Sequence, residues 1–480
     1  MTRFDFDIGI LGAGSAGLTA ASGAAKFGAK TLLVEKEKMG GDCLHYGCVP
    51  SKTLIHTAKV RHDMLHAEGV GLPKITVPPV DFRAVRARIL SVVNTIQQHD
   101  SPERFCGLGV RVEFGEPEFT DEHTVRIGGT SFSARSWMIA AGSSPAIPDI
   151  PGLSGIPYLT NRELFYIDKL PTSLIILGAG PVGIEMAQAF ARLGTEVTVI
   201  QRSSQILTRE DKDMADIIQA TLEADGVVFH LNATVFEVKK TEAGCTAFIH
   251  KTDFSALEIS ASALLVALGR TPNLNGLGLE HIGIVRKNSG LVLDNRLRTN
   301  HSHIYGAGDV TGAYQFTHAA GYEGGVAVTN AILRLPRKVN YTLMPWCTYT
   351  DPELASIGMN EQRAREASIE YSVWKEAFSA NDRAMAEGAT AGIVKLLLDK
   401  GGRPLGIQIA GPRAGELLAP WIGVMHGGKL SSLAGAVQPY PTLSEINRKL
   451  AGNVFAEKIF SDRVKSALRF FFNLRGRACG

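Results

Sequence analysis

Cysteine is scarce in this sequence. Six among 480 residues exclude the small disulfide-stapled scaffolds of secreted chains. Long apolar runs are missing as well. No window reaches the roughly 18 uncharged apolar residues of a membrane-spanning helix. Neither sign of charge dominates: the formal net charge is +3, which gives no electrostatic footprint for nucleic acid as a main partner. The opening residues, MTRFDFDIGILGAG, lack a basic segment followed by a long apolar run, so no signal peptide is read there. A reducing cytoplasm is the expected compartment, and there a close cysteine pair is more often catalytic than structural.

Glycine, by contrast, is plentiful, with 51 residues, many in loops of one repeated type. The length predicts about three domains. Asp7 to Leu11 is a short Ile-rich run. GAGSAG follows, with Gly12, Gly14 and Gly17, then a small-residue helix and the strand AKTLLVE, which ends at Glu35. This is a βαβ unit opening on GxGxxG. Its glycines allow a tight turn and a close approach to a pyrophosphate, and the helix N-terminus faces that phosphate. Glu35 is placed to accept hydrogen bonds from a ribose. The unit recurs without a gap from Leu174, in LIILGAGPVGIEMAQAFARLGTEVTVIQ, at an offset of 166 residues. Gly178, Gly180 and Gly183 match the first three glycines, and Gln201 falls where Glu35 stood. Two dinucleotide sites in one chain predict an electron relay, with a tightly held flavin nucleotide on the first and an exchanging pyridine nucleotide on the second.

Between the units lies GGDCLHYGCVPSK, Gly40 to Lys52. Cys43 and Cys48 are five positions apart, and Lys52 follows one helical turn later. The pair reads as a redox couple. The alternative, half a zinc site, has no second cysteine pair or CxxH to complete it. A helix starting near Pro50 would stabilise a thiolate with its positive end. MIAAGSSPAIPDIPG (Met138 to Gly152) reads as a strand, a glycine turn at Gly142 and a proline-rich linker. LLVALGRTPN repeats that strand and turn near Gly269. TNHSHIYGAGDVTG puts Asp309 at a strand end, in reach of a sugar or ribityl hydroxyl. From about Met344, β-like segments (WCTYT, ASIGM, GIVKLLLD, PLGIQIAG) mix with helical ones.

GAGSAG, GGDCLHYGCVPSK, the AAGSSP turn, GAGPVGIE, ALGRTPN, GAGD and YPTLSE stand in this order along the chain. As a set they resemble the flavoprotein disulfide reductases, the family of dihydrolipoamide dehydrogenase, glutathione reductase and mercuric reductase, from about Phe4 to Phe455. The resemblance implies an α/β chain of two Rossmann-like dinucleotide-binding domains and a C-terminal α+β dimerisation domain. It implies a split FAD-binding domain over 1–150 and 270–342, an NAD(P)H-binding domain over 151–269, an interface domain over 343–460 that makes a homodimer, and a basic tail over 461–480. Cofactor contacts are implied at Gly12, Gly14, Gly17, Glu35, Lys36, Lys52, Gly142 and Asp309 for FAD, and at Gly178, Gly180, Gly183, Gln201, Arg202 and Gly269 for NAD(P)H, with no resident metal. It further implies that electrons pass from nicotinamide through flavin to a Cys43–Cys48 disulfide. Cys48 would be the charge-transfer thiolate and Cys43 the interchange thiol. Lys52 would sit near flavin N5 and pair with Glu185.

The chain departs from that pattern at one informative place. Most of the family has a histidine before Pro-Thr, paired with a glutamate, that exchanges protons with the dithiol. Here the aligned position is Tyr440, with Glu445 at the acid position, and tyrosine is a poor base at neutral pH. Mercuric reductases share the tyrosine but end in adjacent cysteines, whereas this chain has only Cys479 near its end. Where they have a second tyrosine, it reads QQHDSPERF, with His99 and Asp100. The expected acceptor is thus a small or protein disulfide, an electron carrier or a soft metal ion. Mercuric reductase proper, dihydrolipoamide dehydrogenase and a non-enzymatic flavin-based redox sensor are the alternatives. Gln201, followed by Arg202 and Arg209, favours the 2′-phosphate of NADPH over NADH. His318 and His426 read as structural. The tail SDRVKSALRFFFNLRGRACG reads as a last helix packed on the partner subunit. Its alternative is a weak contact with an anionic membrane surface.

Overall fold

A computed structural model describes residues 4–251, 255–476 and 478; Arg477 and Cys479 of the tail lie outside the described residues. The described residues form two compact units, Met1–Ser204 with Asp225–Tyr341, and Gln205–Ala224 with Thr342–Gly480.

In the first unit, the Ile-rich run is the strand Phe6–Leu11. It pairs in parallel with Thr31–Glu35 on one side and with Thr130–Ile139 on the other. Val110–Phe114 extends one edge, and Ile304–Gly306 adds in parallel to Thr130–Ile139. A parallel sheet covered on both faces needs strands that are apolar on both sides. Ile8, Ile10, Leu32, Leu33 and Met138 accordingly have no exposure, and each such burial contributes about 1.5–3 kcal/mol. The small-residue helix Ser15–Lys26 can approach the helix Thr317–Leu333 closely, because Ala16, Ala20 and Ala24 meet Ala320, Ala327 and Ala331 in one cluster. The strands end at one edge of the sheet, where Gly12, Ala140 and Ala307 come next, and ligands of open α/β sheets bind at that edge.

The second βαβ copy is Ser173–Leu177, Pro181–Leu193 and Glu196–Ile200, inside a four-stranded parallel sheet completed by Val228–His230 and Ala263–Val266. The two glycine turns noted after the strands come together. Ser143–Pro145 pairs antiparallel with Arg270–Pro272, next to Gly142 and Gly269.

The C-terminal unit is a five-stranded antiparallel sheet in the order Trp346–Thr348, Glu353–Gly358, Pro404–Gly411, Ile393–Leu398, Ser372–Ala377. Its core holds Phe378, Leu396, Ile407, Ile409 and Trp421. Gln205–Ala224 groups with this unit and is tied to it by buried polar contacts. Buried Glu210 accepts hydrogen bonds from Ser356 Oγ at 2.7 Å, Gln408 Nε2 at 2.6 Å and Trp346 Nε1. Wholly buried Lys395 lies 2.8 Å from Asp211 and 2.7 Å from both Asp213 and Glu361. Breaking a buried pair of this kind costs about 3–5 kcal/mol, so the segment is firmly held. The three carboxylates converge as metal ligands would, yet the lysine ammonium supplies the cation they need. Among the described residues, no helix is long and apolar enough to cross a membrane.

Candidate active site

The two phosphate loops are built alike. Gly12 and Gly178 adopt φ of 109° and 101°, where any Cβ would be strained and would also meet a backbone carbonyl, Ala140 O at 2.3 Å or Ala267 O at 2.6 Å. The helices after Gly14 and Gly180 have no side-chain cap, so their first N–H groups are left for an external anion. A Cβ on Gly41 would stand 2.8 Å from Gly14 Cα, so backbone alone lines that side of the first loop, as close approach to a pyrophosphate requires. At the strand end, Glu35 accepts from Ala13 N and Glu37 N, each at 2.8 Å. Lys36 beside it is exposed. In the second copy, Gln201 Oε1 takes the corresponding hydrogen bond from Ala179 N at 3.2 Å, and Arg202 is exposed.

Asp309 comes after the strand Ile304–Gly306 and is mostly buried. Ser143 Oγ donates to it, and Arg270 Nε lies 3.6 Å away while its Nη2 is 3.1 Å from Asp42. Burial pushes the Asp309 carboxyl up. The residues of the first loop, Glu35 and Asp309 fit the pyrophosphate, ribose and ribityl parts of FAD, and the second loop fits a pyridine nucleotide.

The cysteine segment lies in the same unit. The helix expected near Pro50 begins two residues earlier, at Cys48, and runs to Leu65. The thiol itself thus sits in the first helical turn, where the backbone dipole favours an anion most. Cys43 is half-buried, Cys48 is exposed, and both are free thiols. The hydrogen bond between the two sulfurs divides their acidities. It lowers Cys48 to about 6, helped by Thr317 and by the Lys52 charge. The same bond, with burial, raises Cys43 well above the ordinary thiol range. Lys52 Nζ is 2.7 Å from Glu185 Oε2, so the second nucleotide helix, Pro181–Leu193, reaches the cysteine helix across 133 residues of sequence.

Other members of this site were not visible in the sequence. Thr317 Oγ1, at the start of the helix Thr317–Leu333, is 3.3 Å from Cys48 Sγ, from 269 residues away. His318, read as structural, is exposed and stacked on Phe316 at 5.4 Å. Glu323 on the same helix has no exposure and accepts from Gly308 N at 2.7 Å and Tyr341 OH at 2.6 Å. Burial raises its carboxyl to about 7. No local motif marks these residues; only the packing of two distant helices brings Thr317 to Cys48.

Tyr440 and Glu445 lie in the C-terminal unit. Tyr440 is exposed and donates its hydroxyl to Asp382 Oδ2 at 2.8 Å, a partner the sequence did not indicate. That hydrogen bond raises the tyrosine further above its ordinary value. Glu445 opens the helix Glu445–Ile459, with Arg448 at 3.6 Å.

Residues 6–324 match the profile of the family described as pyridine nucleotide-disulphide oxidoreductase, and residues 344–451 match its dimerisation domain. The chain belongs to the pyridine nucleotide-disulphide oxidoreductases. This oxidoreductase is 34% identical over 447 residues to a mercuric reductase of Bacillus cereus, covering 92% of this chain and 70% of that one. It is 34% identical over 446 residues to a dihydrolipoyl dehydrogenase of Bacillus subtilis, covering 91% and 96%. The Cu(II) complex of the HOCl-induced flavoprotein disulfide reductase RclA from Escherichia coli superposes with a TM-score of 0.83 at 29% identity, covering 95% of this chain and 100% of that one. The protein is thus an enzyme of this family that uses FAD and NAD(P)H with a redox cysteine pair, and its dimerisation domain makes it a homodimer.

Proposed function

We propose that this oxidoreductase uses NADPH to reduce a soft metal ion at the Cys43–Cys48 pair. When bound, FAD supplies the two-electron relay between the nicotinamide and the thiols. In this reading Cys48 is the thiolate held next to the flavin, Cys43 is the thiol that meets the acceptor, and Lys52, fixed by Glu185, keeps negative charge favourable beside them. The cofactor residues of the two loops, with Lys36, Gly142, Gly269 and Asp309, hold the nucleotides. The domain partition proposed is the split FAD domain over 1–150 and 270–342, the NAD(P)H domain over 151–269 and the interface domain over 343–460. Tyr440 and Glu445 act on the partner subunit's cysteines, and the enzyme works in the cytoplasm. Gln201 and Arg202 support NADPH, since a neutral amide followed by an arginine stands where an acid would select NADH.

The choice of acceptor is supported by two features taken together: an acidified Cys48 in the first turn of its helix and a Tyr440, bound to Asp382, that cannot act as a base. As the S–S bond forms, two electrons leave the sulfurs and the Cys43 proton is released. One metal dication can take both electrons, or two ions one each, and no proton has to be delivered to a product. A disulfide acceptor instead needs two protons for its leaving thiolates, from a group of pKa near working pH. Tyr440, bound to Asp382, titrates too high to exchange them. The names of relatives, mercuric reductase among them, and the Cu(II) complex of a structural neighbour support a thiophilic metal. An anaerobic screen of NADPH oxidation with Hg(II), Cu(II), lipoamide and glutathione disulfide tests this. Metal-dependent turnover should exceed that with either disulfide, and Tyr440→His should raise lipoamide turnover. Without a vicinal cysteine pair, mercury in excess thiol should be a poor substrate. Fast lipoamide turnover by the unmodified protein would overturn the reading.

A further inference from the structure

The tail helix Asp462–Phe472 has no buried residue. Successive residues of an α-helix are about 100° apart, which puts Val464, Ala467, Leu468, Phe471 and Phe472 on one face and Asp462, Lys465, Ser466 and Arg469 on the other. Phe470, Phe471 and Phe472 are 83%, 77% and 69% exposed, and Phe460, Ile459 and Leu474 beside the helix are exposed too. Exposed aromatic clusters of this kind mark an interaction surface. From 461 to 476 the basic residues are Arg463, Lys465, Arg469 and Arg475, against the single acid Asp462.

We infer that this helix seats the enzyme on an anionic membrane surface, lying in the interface with its C-terminal end dipped towards the acyl chains. Four cationic residues against one acid favour an occupant of opposite charge. The three consecutive phenylalanines cover about 200° of the helix circumference. That arc is too wide for a protein groove, which receives one stripe, but suits a helix end immersed in the headgroup–acyl boundary. A basic face with Phe and Leu opposite is the composition of an in-plane membrane helix, and anionic lipid attracts each cation within a Debye length. The inference does not rest on the choice of acceptor.

Co-sedimentation of the full-length holoenzyme with vesicles tests it, using phosphatidylglycerol–phosphatidylcholine mixtures against pure phosphatidylcholine. Binding should be strong to the anionic vesicles, weaken with salt, and fall about tenfold or more in Phe471→Ser/Phe472→Ser and in Arg463→Gln/Lys465→Gln/Arg469→Gln. Turnover with a soluble acceptor should be unchanged in both variants, which reports that they fold. Equal binding of wild type and variants, or no binding to anionic vesicles, would overturn the inference. So would loss of self-association or of a co-purifying acidic protein in place of loss of lipid binding.

Discussion

The two βαβ units share a backbone plan but end in different side chains. In both, the first glycine turns at positive φ under a carbonyl, and the residue after it donates to the side chain at the second strand's end. The first unit has a carboxylate there, Glu35; the second has a neutral amide, Gln201. The chain then continues differently. After the first unit it enters the cysteine helix, where the thiols meet Thr317 and Lys52. After the second it enters Gln205–Ala224, which is bound into the C-terminal unit through Glu210 and Lys395. One fold element, duplicated, thus carries a different strand-end side chain and a different following segment in each copy.

The largest effects should come from breaking what only the first unit carries. Cys43→Ser and Cys48→Ser should each lower steady-state turnover on the order of 10⁴-fold, as loss of a covalent nucleophile does. They should differ in spectrum. On two-electron reduction, Cys43→Ser should keep the long-wavelength thiolate-to-flavin band and Cys48→Ser should lose it. Identical spectra would reverse or remove the assigned roles.

A smaller effect is expected where the strand ends differ. A charge-assisted hydrogen bond to a 2′-phosphate contributes about 1.5–3 kcal/mol, or roughly 10- to 150-fold. Arg202→Ala should therefore raise the KM for NADPH by that factor and leave NADH little changed. Gln201→Glu, which makes the second unit like the first, should shift preference towards NADH. Equal effects on both nucleotides would show that the strand end does not select the cofactor.

The smallest effect is expected where the units touch, at Lys52 and Glu185. Cys48 has a depressed pKa of about 6. Its thiolate should therefore persist through neutral pH and be lost as pH falls through about 6. Lys52→Met removes one of the charges favouring the anion, so the midpoint of the thiolate band should rise by about one pH unit. A titration in which the midpoint stays put would assign the low value to the Cys43 hydrogen bond, Thr317 and the helix start without Lys52.

Much of this was determined by the sequence itself. The Ile-rich run, the glycine spacing, its repetition at a fixed offset and the acid or amide at the strand end are local features, so the two nucleotide folds and the cysteine pair were legible from residue order. The Tyr440 substitution was legible for the same reason. The tertiary structure decided what depends on distant segments meeting. It put Thr317 on Cys48, buried Glu323 under the Gly308 turn, gave Tyr440 the partner Asp382, and tied Gln205–Ala224 to the C-terminal sheet through Glu210 and Lys395. No spacing rule encodes these contacts, because hydrogen bonds and buried ion pairs between remote segments arise only after the apolar strands and small-residue helices have packed.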